Sequence, residues 1–174
     1  LLSMKNYLKF SIVAILLLIG TTSFAQSFKF GHINSQELLS LMPERDSAQL
    51  TLENYAQQLE DQLEVMQVEY NNKVQAYLAE QDNYTDLIKQ TKEQELTDLQ
   101  ARIQGFQTTA QQDIQRKEAQ LIQPIIDKAE AAIKEVGKEL GFTYVFDLAR
   151  GSILYFSEKS VDILPQVKLK LGIQ

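Results

Sequence analysis

Leu52–Tyr77 reads LENYAQQLEDQLEVMQVEYNNKVQAY, and its apolar positions, Leu52, Tyr55, Leu59, Leu63, Met66, Tyr70, Val74 and Tyr77, follow one another at intervals of 3, 4, 4, 3, 4, 4 and 3. That spacing draws one narrow apolar stripe along a helix. The positions between are mostly Gln, Glu, Asp, Asn and Lys, so the helix has a wide wet surface and a thin apolar one. Steps of 3, 4 and 4 average about 3.67 residues per turn, which gives a nearly straight or slightly right-handed path where a strict heptad would give a left-handed rope. The stretch predicts a stiff arm that needs a partner helix to cover its stripe.

The partner lies further along the same chain. Leu96, Leu99, Ile103, Phe106 and Ala110 form a second stripe, and Ile122, Ile126, Ala129, Ile133, Val136 and Leu140 continue it. Residues 47–140 therefore read as one long helical hairpin, with the turn near 81–86. There Asn83 can take a left-handed conformation, and Asp82 or Thr85 can cap the returning helix. An unbroken helix over the same residues would be about 140 Å long. The hairpin is preferred because Leu78, Leu87 and Ile88 fall out of phase with the first stripe. Gly105 and Pro124 interrupt the returning helix and are its candidate flex points, Gly by its helix cost of about 1 kcal/mol and Pro by removing a backbone donor.

Ahead of the arm, Lys5 and Lys9 precede an apolar run from Phe10 to Gly20, and Ser23-Phe24-Ala25 offers small residues where signal peptidase cuts. Residues 1–25 read as a signal peptide cleaved after Ala25, with Met4 as the initiator. The apolar run is shorter than the roughly 20 residues that span a bilayer. The 149 remaining residues carry 15 Lys and Arg against 23 Asp and Glu, a formal charge of −8. An acidic exported chain of this kind lacks the basic face that nucleic acid or anionic lipid requires. It has no Cys, so no disulfide holds it together in a compartment that would permit one.

Phe28–Asn34 reads as a strand, and Ser35–Leu41 as a short helix with Ser35 as its N-cap. Pro43 ends that helix, and 42–46 connects it to the arm. His32, the chain's only histidine, has no second His or Cys to complete a metal shell and reads as a packed or edge residue. After the arm, Gly141 stops the helix. Phe142–Asp147 and Ser152–Phe156 read as a β-hairpin around Leu148–Gly151, and Val161–Ile173 as a last helix with Pro165 in its first turn. The fold class is α+β: residues 26–46 and 141–174 form a small three-stranded body from which the helical hairpin projects. So small a body is marginal alone. Self-association through Phe28, Phe30, Ile33, Val145, Phe146, Leu154 and Phe156 would supply the missing core.

No phosphate-binding glycine loop, G-x-S-x-G elbow, nucleophilic Cys or His pair is present, so neither an enzyme nor a cofactor or metal site is expected. The carboxylates lie along solvated helix faces, where they serve solubility and i,i+4 pairing.

The order of features resembles the Skp (OmpH-like) periplasmic chaperones. The likeness is carried by the exported start, Lys29–Ser35 with Pro43 beyond it, the polar arm, Pro124–Ala129, Gly141–Asp147, and Leu154–Ser157 leading to Val161–Leu164. It covers nearly the whole mature chain, and its specificity lies in the arrangement. The resemblance implies a homotrimer whose bodies join as a hub, with helical arms enclosing a cavity. It also implies a periplasmic, ATP-independent holdase that keeps unfolded outer-membrane β-barrel proteins from aggregating before insertion.

Tyr70, Tyr77 and Tyr84 are candidate client contacts, with the seam between the two arm helices as their other possible place. The acidic charge departs from the basic members of that family, so no lipid or lipopolysaccharide site is carried over. Leu164 stands where members often place a capping Thr. The alternative of another class is a structural or adaptor coiled-coil protein of the envelope that binds one fixed folded partner.

Overall fold

Two long helices carry most of the chain. The computed structural model describes residues 28–173, so the signal peptide and the cleavage after Ala25 lie outside the described residues. Strand β1 (Phe30–Ile33) leads into helix α1 (Ser35–Ser40). Helices α2 (Pro43–Glu80) and α3 (Asp86–Glu139) follow, joined through a single 3-10 turn at Gln81–Asn83. The chain closes with β2 (Tyr144–Asp147), β3 (Val161–Asp162) and α4 (Leu164–Leu171). This is the expected α+β architecture, a small three-stranded body carrying one long helical hairpin.

At 1.5 Å per residue α2 is about 57 Å long and α3 about 81 Å. All eight stripe positions of α2 are half-buried against α3, and Leu99 of α3 is fully buried, so the periodicity in the sequence is the seam of the arm. At its base Lys128 of α3 pairs with Glu44 of α2 and draws the Glu44 carboxyl below its usual range. Beyond that level α3 leaves α2 and enters the body, where α1 and α4 pack against it. Ile125, Ala129, Ala132 and Val136 are buried there with Ile33, Leu38, Met42, Ile163 and Val167. By packing, the last turns of α3 belong to the body, whereas the sequence boundary was set after Leu140.

Helix ends follow local chemistry, with three corrections. Pro43 ends the short helix as expected, with Met42 before it extended, but it also occupies the first turn of α2, where its missing N–H is one of the orphan donors anyway, so 42–46 is not a connector. The cap of α1 is Asn34, whose Oδ1 accepts from the Glu37 N–H at 3.2 Å, and the Ser35 hydroxyl goes elsewhere. At the arm's tip no non-glycine residue has a positive φ, so Asn83 is not left-handed. The expected cap there is present, since Thr85 Oγ1 accepts from the Ile88 N–H at 3.4 Å. Gly141, with φ of 68°, follows α3 as the stop.

The sheet has the order β2-β1-β3, and β1 pairs in parallel with both neighbours. Ser152–Phe156 forms no strand, so the hairpin expected after the arm is corrected to a parallel arrangement. The third strand is the two-residue β3. Phe30 pairs with Tyr144 and Ile33 with Asp147 in register on one side, and Gly31 pairs with Val161 on the other. Gly31 is required by close approach. A Cβ there would lie 3.1 Å from the Phe142 ring and 3.3 Å from Ile163 Cγ2.

Two polar ties hold the body's ends. Ser35 gives its N–H at 3.1 Å and its hydroxyl at 2.6 Å to the Asp147 carboxylate, which also accepts from the Ala149 N–H at 3.0 Å. Partial burial pushes the Asp147 carboxyl up, but these hydrogen bonds, helped by Arg150, outweigh it and leave the pKa below the usual carboxylate value. Lys170 of α4 pairs with Glu139 at 2.6 Å and Glu135 at 3.0 Å on α3. In place of a capping Thr, Asp162 Oδ1 accepts from the Leu164 N–H at 2.9 Å and starts α4.

Candidate functional site

A β-strand turns successive side chains to opposite faces, and β1 and β2 use this to divide the body in two. Gly31, Ile33 and Val145 face α3 and α4. Phe30 and His32, with Tyr144 and Phe146 beside them, face the other way, and among the described residues no helix covers that face. Aromatic rings therefore line an open surface. Phe30 lies 6.2 Å from Tyr144 and 6.1 Å from Phe146, centroid to centroid, and Phe28 lies 6.4 Å from Phe30.

The connection from β2 to β3 crosses this face. Phe156 rests on the His32 ring at 4.2 Å, His32 Nδ1 lies 2.8 Å from Ser160 Oγ, and a hollow of about 670 Å³ remains between the crossing segment and the rings. His32 is thus a packed residue with a hydroxyl partner.

Of the seven sequence-selected hub residues, five lie on this open side: Phe28, Phe30, Phe146, Leu154 and Phe156, all exposed. The other two are corrected. Ile33 is 2 % exposed in the chain's own core, and Val145 packs half-buried over Gly137. The selection had taken both faces of each strand. Tyr144 and Tyr155, exposed on the open side, were missed; the alternation of β2 with Phe146 was the available signal for Tyr144.

Along the arm the tyrosines sit in the seam. Tyr70 and Tyr77 are half-buried stripe positions, and the Tyr77 hydroxyl donates to Glu93 Oε1 at 2.6 Å across the two helices. Tyr84, half-buried at the turn, donates to Glu80 Oε2 at 2.7 Å, with its ring 6.3 Å from that of Tyr77. Their carboxylate partners raise both phenol pKa values. Lower down, the Tyr55 hydroxyl donates to Asp113 across the same seam.

The exposed apolar side chains of the arm are others, Leu50, Val65, Val68, Leu78, Leu87 and Ile88. Val68 is nine residues from Leu59, half a turn round the helix at about 100° per residue, so it points away from the seam. These were readable as the apolar residues that do not fit the stripe. Gly105 and Pro124 both lie on the exposed side of α3, which runs through both, and open space surrounds the position a Gly105 Cβ would take.

Among the described residues no group of three or more His, Cys, Asp or Glu side chains is placed to hold a metal ion. What the molecule offers is apolar contact: an aromatic platform on the body and scattered apolar points on a wet rod.

A long helical hairpin rooted in a small parallel sheet with an aromatic outer face defines an α+β arm-and-body protein. The chain belongs to the OmpH-like outer membrane protein family, whose model matches residues 29–171. The fold is similar to the solved structure of a candidate outer membrane chaperone (OmpH-like) from Caulobacter crescentus CB15, with a TM-score of 0.70 at 14 % identity over 83 % of each chain. No curated protein matches the sequence.

Proposed function

We propose that this protein is an ATP-independent periplasmic holdase that takes up unfolded outer-membrane β-barrel proteins and keeps them soluble before insertion. Three copies join through the open aromatic face, and their arms enclose the client. The observation that carries this reading is the pairing of a bare aromatic platform with a long arm whose exposed face is wet but studded with Leu50, Val65, Val68, Leu78 and Leu87. Isolated apolar points on a solvated rod grip an unfolded chain weakly at many places, and many weak contacts add up without trapping the client. Surface of this kind also keeps clients from meeting one another. Family membership and the fold of the Caulobacter protein support the chaperone role.

The seam tyrosines hold the arm straight, and the residues off the stripe meet the client. Lipid and lipopolysaccharide are not partners, because the chain after Ala25 carries −8.

The test is light scattering behind a sizing column on the mature protein, with and without a urea-unfolded outer-membrane β-barrel diluted in. The expected result is a mass of three subunits, eluting early, that carries the barrel in a soluble complex. A trimer that leaves the barrel to precipitate would point instead to an adaptor for one folded partner.

A further inference from the structure

Between Arg45 and Lys73 helix α2 has five acidic residues and no basic one. Four of the five, Glu53, Glu60, Asp61 and Glu64, join Asp46 in a row on the side turned away from the seam, within about 80° of the direction opposite Leu59. All the carboxylates of the row are exposed. The ion pairs of the arm are Glu44 with Lys128, Glu69 with Lys73, Glu95 with Lys92 and Asp113 with Arg116, and among the described residues none takes in a member of the row. Glu53 and Asp61 accept from neutral amides, Gln49 Nε2 at 3.0 Å and Gln57 Nε2 at 2.8 Å.

Like charges one helical turn apart weaken a helix, and Glu60 with Glu64 is such a pair. Neighbouring carboxylates of the row are at most about 11 Å apart along the axis. The screening length at physiological ionic strength is about 8 Å, so the row acts as one extended negative potential. Set into it are the exposed Leu50 and Val68, with Val65 at its margin.

The opposite edge of the arm is different. Tyr77 bonds to Glu93 and Tyr55 to Asp113, so residues 94–119 of α3 flank this stretch of α2. Their outward row, Gln94, Thr97, Ala101, Gln104, Thr108 and Gln111, continues to Ala119 with no charge and no large apolar side chain. Charge and apolar contact coincide on the outward face of α2, and both are missing from that of α3.

We infer that the outward face of α2 docks unfolded polypeptide segments that combine Lys and Arg with apolar residues, and that these are the preferred clients. The inference rests on the proposed holdase reading and names its substrate class. From Asp46 to Val68 the face is about 33 Å long, room for about ten residues of extended chain. Client cations meet the row while client apolar side chains meet Leu50, Val65 and Val68. A cationic segment relieves the repulsion within the row, and an acidic segment adds to it.

The test uses the mature protein and two labelled synthetic peptides with the same Leu, Val and Ser positions, one carrying Lys and the other Glu at the rest. By fluorescence anisotropy at low salt the Lys peptide is expected to bind about ten-fold more tightly, the product of several surface ion pairs of modest worth. Added salt should shrink the difference. Glu53→Gln with Glu60→Gln and Glu64→Gln should remove most of the preference. Gln104→Lys with Gln111→Lys and Gln115→Lys changes the net charge equally on the opposite edge and should keep it.

Equal losses in the two triple variants overturn docking on α2, because net charge alone would then explain the preference. Equal binding of the two peptides, by a protein that still keeps a urea-unfolded β-barrel soluble, overturns the client class and leaves the holdase standing. A barrel that precipitates beside the unsubstituted protein removes the holdase reading and this inference with it.

Discussion

Leu99→Ala and Leu87→Ala make the same chemical change on one helix, and the structure assigns them opposite outcomes. Leu99 is 1 % exposed at the seam of the arm and Leu87 is 73 % exposed near its tip. Leu→Ala in a closed core destabilises by about 2.7–5 kcal/mol, the larger values going with the larger residual void. The seam is only two helices thick, and its neighbouring positions, Leu96 and Ile103, are half-buried, so they can close over part of the gap. The expected cost at Leu99 is therefore at the low end, about 2–3 kcal/mol. At about 2–4 °C per kcal/mol for a chain of this size, the melting temperature falls by about 4–12 °C. Leu87→Ala should stay within about 0.5 kcal/mol, as surface changes do. Urea titration followed by far-UV circular dichroism reads the arm directly, because α2 and α3 supply most of the helix. Equal midpoints for the two variants would refute the claim that the seam holds the arm.

The tyrosines and the off-stripe valines separate stability from function. Tyr70→Ala with Tyr77→Ala should lower the melting temperature and leave uptake of an unfolded β-barrel unchanged. Val65→Ser with Val68→Ser should reduce uptake several-fold at unchanged melting temperature, and the reverse pattern sinks the assignment. Gly31→Ala drives a methyl into the Phe142 ring and Ile163 inside the core, so a loss of about 1–3 kcal/mol is expected in the urea midpoint. Asp147 has its carboxyl pKa depressed in the folded state, so the stability it lends is present above the unfolded value of about 3.9 and disappears as pH falls through the lower folded value. Asp147→Asn should thus be less stable than the parent by a constant amount from neutral pH to about pH 5, with the gap closing in stronger acid; a gap that widens there refutes the tie to Ser35.

The arm was legible because a helix repeats its environment every turn, and eight successive stripe residues, Leu52 to Tyr77, record one seam. The body was less so. Two-residue β3 is too short for any alternation to register, while Ser152–Phe156 carries a strand's composition without pairing to any strand among the described residues. Local pattern reports what a segment can do, and pairing depends on what lies beside it. Ile33 and Phe30 are both large and apolar, and only the pleat decides that one enters the core and the other faces out. Asn34 and Ser35 are both good caps, and the choice fell to Asn34 because Asp147, more than a hundred residues away in sequence, holds the Ser35 hydroxyl. The exposed apolar residues of the arm, proposed above to meet the client, were visible only as exceptions to the stripe.

The parallel sheet also sets an order of events when the chain folds. Phe30 and Tyr144 are register partners 114 residues apart. Closing so long a loop from a random chain is slow and entropically expensive. The helical hairpin between them forms from nearby contacts and returns the chain to its starting point. Once the arm has zipped, the loop left to close is only the few residues of α1 and Leu140–Thr143. On the logarithmic dependence of closure entropy, shrinking it from over a hundred residues to about ten recovers about 2 kcal/mol. The arm is then the jig on which its own body is assembled, and seam damage far out near Leu99 should slow the formation of a sheet that it never touches.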